Sequence, residues 1–553
     1  MNPQVNVKVL KAVLVVAVTV LLTSCLSSGG DGDASTSVGG GATPPPAGTC
    51  ASVTYEAPSG AANNIVFTFD KAYTCGQFAN GDWWVSRDSS PFVTITAITP
   101  TSTGGKHGYQ VNPTTTGAQP FDNTSDAVYD PTLMPALPLP LTGISSVLKT
   151  VSYTGPSTAP AQISRLQFAA VLTIVDTPIV NSSTVFRPGY FGLSASKSYY
   201  AVPSAATVAG AKVGFYTPVG VSVASVTIPA IVNRFKNVQL DHYLGWPGRQ
   251  LHPRDNMAEY GPEIASDNAI YLLRMLLSDF NYSDSSHKQA LINYLQMAID
   301  LSSMAANGAV WDADGGHTNG RKIPLQFADL IFGGADFSGA IAASRFSEDQ
   351  QVWRSGVTFE VLWGKPHLID LELDYWKGTR IALGEILAGG VSKDVRDSYG
   401  RIDGGSGDEI GVGYQLLTSM PWKYSVLALY MLGIETIPTA IPTPANITPT
   451  QILAEYAERW VRYGVKSKDL TTNINMTTNV ITSVPHIPAT CARPVIPAVP
   501  PGVVTVIYGT HYGPDGLGSC ILGANNWGAV DNTSVNSGQY FSTFGDELWD
   551  WYH

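Results

Sequence analysis

Met257-Ala-Glu-Tyr-Gly-Pro-Glu-Ile-Ala-Ser-Asp-Asn-Ala-Ile-Tyr-Leu-Leu-Arg-Met-Leu-Leu-Ser278 is where the chain changes its period. Apolar residues recur along it at helical spacing, and the same spacing returns over 288–305, 323–332, 371–387, 414–432 and 448–463. Upstream of residue 236 the pattern is that of strands. Asn64-Ile-Val-Phe-Thr-Phe-Asp70, Trp83-Trp84-Val85, Phe92-Val-Thr-Ile-Thr-Ala-Ile98, Phe168-Ala-Ala-Val-Leu-Thr-Ile-Val175 and Val221-Ser-Val-Ala-Ser-Val-Thr-Ile228 alternate or run β-branched between Gly, Pro, Asn and Ser. Strands followed by a run of helices imply a segregated α+β, multidomain chain.

The division expected is a β-sandwich-like region over 50–235, a helical region over 236–470 and an irregular tail over 471–553. Successive helix pairs suggest an α/α toroid, complete or partial. The tail carries prolines from Pro485 to Pro501 and ends in an aromatic helix over 544–552. It is expected to pack back on the helices. Trp83 and Trp84 are candidate sugar-binding residues in the strand region, or else core.

The N-terminus reads as an export signal over 1–24. Lys8 and Lys11 precede the apolar run Ala12 to Leu22, too short for a permanent span, and Leu22-Thr-Ser-Cys25 follows. This ending resembles a bacterial lipoprotein box, which implies lipidation at Cys25. Leu26 in place of an aspartate implies, by the same resemblance, the outer membrane. Residues 25–49 are mostly Ser, Gly, Asp, Ala, Thr and Pro, a flexible tether. Setting Cys25 aside leaves four cysteines in an oxidising compartment, and the sequence-local choice among three connectivities pairs Cys50 with Cys75 and Cys491 with Cys520. The 553 residues carry a net charge of −11 with 14% charged residues and no basic tract, which argues against nucleic acid. No Cys/His spacing suggests zinc and no cofactor motif appears. No GxSxG, GxxxxGK[ST] or HExxH occurs, so esterase, nucleotide and zinc-protease readings lack support.

Three glycine-rich loops lead into helices. The first holds Trp246, Arg249, His252, Arg254 and Asn256 and runs toward Glu259 and Tyr260. The second is Asp312-Ala-Asp-Gly-Gly-His317-Thr-Asn319-Gly-Arg321-Lys322. The third is Arg401-Ile-Asp403-Gly-Gly-Ser-Gly-Asp408-Glu409, ahead of Tyr414 and Trp422. Helix entries favour anions, and convergence of the three would make one cleft. His317, Asn319 and Arg321 stand at alternate positions, so an extended loop would point them the same way. Asn319 and Arg321 suit the neutralisation of a carboxylate, while His317, Tyr260 or Tyr414 suit proton transfer. Arg249, His252, Arg254, Asn256, Trp246, Lys322, Trp422, His511 and Tyr512 are candidate substrate-binding groups. Structural roles compete: Asn256 or Asn319 as helix caps, and Arg321 paired with Asp312 or Asp314. Trp246, Trp311, Trp363, Trp376 and Trp422 are candidates to stack on sugar faces, with several of them expected in the core. Asp312 and Asp314 with Asp408 or Glu409 offer a rival pair of hydrolytic acids, and Asp-x-Asp-Gly is also a turn or a structural calcium loop.

In architecture and residue types the part from 236 to 553 resembles the α/α-toroid polysaccharide lyases, such as the alginate, glucuronan and heparinase-like families. The resemblance implies β-elimination on a uronic-acid-containing polysaccharide, with an Asn or Arg neutralising the uronate carboxylate and a Tyr or His pair moving protons. The positions here nearest those roles are Asn319, Arg321, His317 and Tyr260, with Tyr414 in reserve. A retaining or inverting glycoside hydrolase and a non-catalytic glycan-binding lipoprotein stand as the alternatives.

Overall fold

The computed structural model describes residues 48–155, 163–354, 361–363, 409–437, 448–463, 470–475, 480–483, 503–508 and 542–553, and of 353–354, 362, 409–416, 459–463, 470–475, 480–483 and 503–508 the backbone alone. The segment expected to be an export signal, Cys25, all but the last two residues of the expected tether, the segment 371–387 expected to be a helix, Trp376, Asp408, Cys491, Cys520, His511 and Tyr512 lie outside these residues.

The described chain opens with β1 (Gly48–Tyr55), β2 (Ile65–Gln77), β3 (Trp83–Ser86), β4 (Val93–Thr99) and β5 (Tyr109–Val111). The short pair β6 (Ala118–Gln119) and β7 (Val128–Tyr129) follows, then β8 (Leu139–Leu141), β9 (Ser145–Ser152) and β10 (Leu166–Val175). Apart from β6 and β7 these strands form one sheet in the order β5-β9-β10-β3-β2-β4-β8, with β1 on β2. The sheet curls into a half-barrel, where a sandwich was expected from the strand spacing. The reason lies in β2. It is 13 residues long and pairs with β1 along both halves, with β4 over Val66–Phe69 and with β3 over Cys75–Gln77. Register shifts at Cys50/Ser52 and Thr68/Phe69 bend the ladder there, so one strand turns the sheet over on itself. Cys50 and Cys75 are disulfide-bonded across β1 and β2, as the sequence-local pairing expected.

Side chains alternate across a sheet, and in β9 and β10 both faces are buried. Val147, Val151, Phe168, Ala170 and Leu172 meet Val53, Phe67 and Ile95 inside the curl. Leu148, Ala169 and Val171 belong to the core shared with the helices. Double burial explains why β10, Leu166–Val175, reads as a near-continuous apolar run.

The segment 221–228 is not a strand. Its alternation runs into Pro229, and Thr227 accepts from Ala230 N (3.3 Å) to cap the helix Ile228–Phe235, with the proline in the first turn where no NH is needed. The 257–278 periodicity yields the helix Gly261–Met275, started by Pro262 and buried nearly all round, as the centre of a bundle requires. Against it pack Glu409–Leu432, Lys322–Phe332 and Thr543–Tyr552. Ser285–Ala306, capped by Asp284, packs on Ile228–Phe235, Lys322–Phe332 and Ala335–Ala343. Sheet and helices are joined by Arg187, whose guanidinium bonds Asp82 between β2 and β3 (2.6 Å) and forks onto Asp300 of Ser285–Ala306 (2.9 and 2.6 Å).

The tail holds regular structure that the sequence reading left out. Leu470–Asn475 pairs antiparallel with Val480–Ser483 on one side and Val503–Tyr508 on the other. The final helix packs back on Glu409–Leu432 through Lys423 to Asp546 (2.6 Å) and Tyr552 Oη to Tyr430 O (3.2 Å).

Candidate functional site

The first two glycine-rich loops meet at the start of the helix Gly261–Met275. A Cβ on Gly261 would stand 1.9 Å from Gly316 O, and one on Gly320 would stand 2.3 Å from Ala265 Cα. Only glycine permits that approach. Asn268 Nδ2 donates to Gly320 O (2.9 Å), His317 N to Asp314 O (2.9 Å) and Trp246 N to Asp314 Oδ2 (3.0 Å), which fixes both loops to the helix and to each other. The 312–321 loop is a chain of turns with left-handed Gly315, Gly316 and Gly320, not an extended segment. His317, Asn319 and Arg321 therefore do not share a direction.

Arg321 is buried and forks onto Asp241 (2.5 and 2.8 Å), with further bonds to Asn319 O (2.6 Å) and His317 O (3.3 Å). Its expected partners, Asp312 and Asp314, are not used. Asp241 also lies 3.4 Å from His252 Nε2 and takes Trp311 Nε1 on its carbonyl (3.3 Å). Burial would raise the Asp241 carboxyl, but Arg321 and His252 outweigh it and hold the group down at about 2. His252 Nδ1 meets Glu259 O (2.8 Å), so both ring nitrogens are engaged inside the protein. Asn319 is fully buried, its Oδ1 taken by Ser347 Oγ and its Nδ2 without a partner. This group is the internal support of the loop, and sequence reasoning missed its centre, Asp241. The signal was the polar run Asp241-His242 between apolar neighbours, just ahead of the first glycine-rich loop.

Above that support stand Tyr260, His317 and Arg249. The Tyr260 and His317 rings lie 5.1 Å apart, edge to face, and the Arg249 guanidinium covers Tyr260 at 4.7 Å. Tyr260 Oη donates to Gly315 O (2.8 Å). Arg249 Nη2 bonds Glu259 Oε1 (2.8 Å), and its Nε has no partner. His317 is 6% exposed and its Nδ1 is unpartnered. Burial, then the neighbouring Arg249, Arg321 and His252, lower its imidazole to about 3, so it is neutral at ordinary pH. Trp246, 40% exposed, stands on the first loop.

The other candidates are placed elsewhere. Asn256 donates to Ala169 O (2.7 Å) and Val238 O (2.8 Å) and caps nothing, because the N-cap of the helix is Tyr260, further along the chain. Arg254 lies over the Tyr153 ring at 3.5 Å. Lys322 is paired with Asp349 (2.5 Å). Asp312 forks onto Arg345 (2.7 Å twice) and takes Gln350 Nε2 (2.8 Å); the Arg345 bond in particular holds its carboxyl below the usual range. Trp84, Trp311, Trp363 and Trp422 are core. The side chains of Glu409 and Tyr414, and the whole of Asp408, His511 and Tyr512, lie outside the described residues. Among the described residues no group of three or more His, Cys, Asp or Glu side chains is placed to hold a metal ion. Sequence reasoning also missed Glu348, which takes Gly320 N (2.6 Å) under the loop and sits in a stretch with nothing to mark it.

No family model, no curated protein and no solved structure matches the chain.

Proposed function

We propose that the chain is an exported, lipid-tethered enzyme that cleaves an acidic, uronic-acid-containing polysaccharide by β-elimination. The observation that carries this reading is the Tyr260, His317 and Arg249 cluster: a neutral imidazole and a phenol with touching rings, beside a partly exposed cation. The His317 imidazole takes the proton from the carbon next to the sugar carboxylate. The electron pair left behind becomes a carbon–carbon double bond as the glycosidic C–O bond breaks, and the Tyr260 hydroxyl gives its proton to the departing oxygen. Arg249 takes the carboxylate-neutralising role first expected of Arg321, which is committed to Asp241. A carboxylate bound opposite Arg249 also offsets the positive field that lowers His317 and so strengthens it as a base. The hydrolytic alternative has less support, because Asp312 is forked onto Arg345 and held in its ionised form. The reading goes with a toroidal, whole or partial, arrangement of the helices and with outer-membrane attachment through Cys25.

The test is a panel of uronic-acid polymers, including alginate and glucuronan, incubated with the full chain. Unsaturated, ultraviolet-absorbing ends and new reducing ends are expected to rise in step. His317→Ala and Tyr260→Phe are each expected to lower turnover by about 100-fold or more with circular dichroism unchanged. Reducing ends without unsaturation would replace the lyase by a hydrolase, and binding without any product would leave a glycan-binding protein.

A further inference from the structure

A second site lies at the rim of the sheet, where β1 and β2 end and β3 begins. A cavity of about 310 Å³ is lined there by Glu56, Gln77, Asp82, Trp83, Lys236 and Asn237, with none of the residues around Tyr260. That volume is at the small end of ligand pockets.

Asp82 is its most built element. It is only 6% exposed, and both of its side-chain bonds, from Arg187 Nε (2.6 Å) and Asn80 Nδ2 (2.7 Å), fall on Oδ2. Oδ1 takes no bond within the protein, so a rigidly held carboxylate oxygen is left as an acceptor on the cavity wall. Arg187, anchored in turn by Asp300, prevents the group from turning away. Trp83 is fixed as well, its backbone N to Tyr55 Oη (3.0 Å) and its Nε1 to Thr54 O (3.0 Å), which locks the plane of a half-buried indole. The amides of Gln77 and Asn237 and the charges of Glu56 and Lys236 form no side-chain bonds within the protein.

These groups select by chemistry. A flat ring beside fixed acceptors and two-way amides suits a molecule with hydroxyls around its edge and CH groups on its face. An anion meets two carboxylates, Asp82 and Glu56, against one lysine, and a purely apolar ligand would strand the buried acceptor. We infer that this cavity binds one unit of a neutral sugar. It is a separate site from the proposed elimination chemistry and stands or falls independently of it.

The probes are the methyl glycosides of glucose, galactose and mannose in both anomers, read on the full chain by saturation-transfer NMR and titration calorimetry. At least one is expected to bind. Trp83→Ala and, separately, Asn237→Ala are expected to weaken it by about tenfold or more while the melting curve and any turnover of uronic-acid polymers stay as in the parent. No binding of any glycoside, equal binding to Trp83→Ala, or uptake of a zwitterionic amino acid in place of the sugars would overturn the proposal.

Discussion

Glu348 holds one carboxyl oxygen on Gly320 N and leaves the other without a partner, fully enclosed below the second loop. Burial raises its carboxyl from 4.5 to about 7. Its contribution is favourable at low pH, where it is protonated in the folded state, and is lost as pH rises through about 7. Glu348→Gln is therefore expected to gain on the parent by about 2–3 kcal/mol between pH 4.5 and pH 8 in urea unfolding. A constant difference across that range would show that the carboxyl is not buried as described. His317 has the opposite sign. Its imidazole is lowered from 6.5 to about 3, so the stability it carries is complete above 6.5 and drains away as pH falls toward 3. Arg249→Gln removes a named cause of that lowering, and the His317 ring resonances should then titrate at higher pH by NMR; an unchanged midpoint would separate the two residues. At this scale the sequence was informative about residue type and poor about direction. His317 and Tyr260 stand together as their loops suggested. Arg321 and Asn319, equally prominent in the chain, turn inward because positive-φ glycines break the alternation that an extended loop would have kept.

Among the elements, periodicity located the long helices and the strands β2, β3, β4 and β10, passed over β1, the fully buried β9 and the helix Ala335–Ala343, and failed over 221–228, where a local rule overrode it. Thr227 and Pro229 convert an alternating stretch into a helix start, and the length of β2, invisible in its composition, decides that the sheet curls. The loop-to-helix contact at Gly261 is the closest in the candidate site. Gly261→Ala is expected to displace the Gly316 carbonyl and abolish polysaccharide cleavage while helical circular dichroism persists, whereas Gly210→Ala, with open space at its Cβ, is expected to be nearly silent. Full activity in Gly261→Ala would detach the loop from the chemistry. Arg187 couples the sheet to Ser285–Ala306 through two carboxylates. Arg187→Ala leaves both Asp82 and Asp300 buried and unpaired, with an expected loss of about 3–5 kcal/mol in denaturant unfolding. A loss below about 1 kcal/mol would mean that water replaces the guanidinium.

For the whole molecule, a net charge of −11 faces a substrate proposed to be a polyanion. Long-range repulsion slows encounter at low ionic strength and is screened within about 10 Å at 0.1 M salt. Plotted against sodium chloride, kcat/KM for a uronic-acid polymer is expected to rise from low salt toward about 0.1 M; a steady fall would show that local positive charge at the binding site outweighs the net charge. The helix Thr543–Tyr552 has a consequence for how such a molecule is made. Its Gly545 sits against both Tyr424 and Ile270, and Glu547 accepts from Ser222 N across 325 residues of chain. During synthesis, the apolar face around Ile270 emerges long before the segment that covers it. Folding must wait for that late arrival, since contacts so distant in sequence form slowly. In the interval the nascent protein offers holding chaperones a ready grip and exposes itself to aggregation.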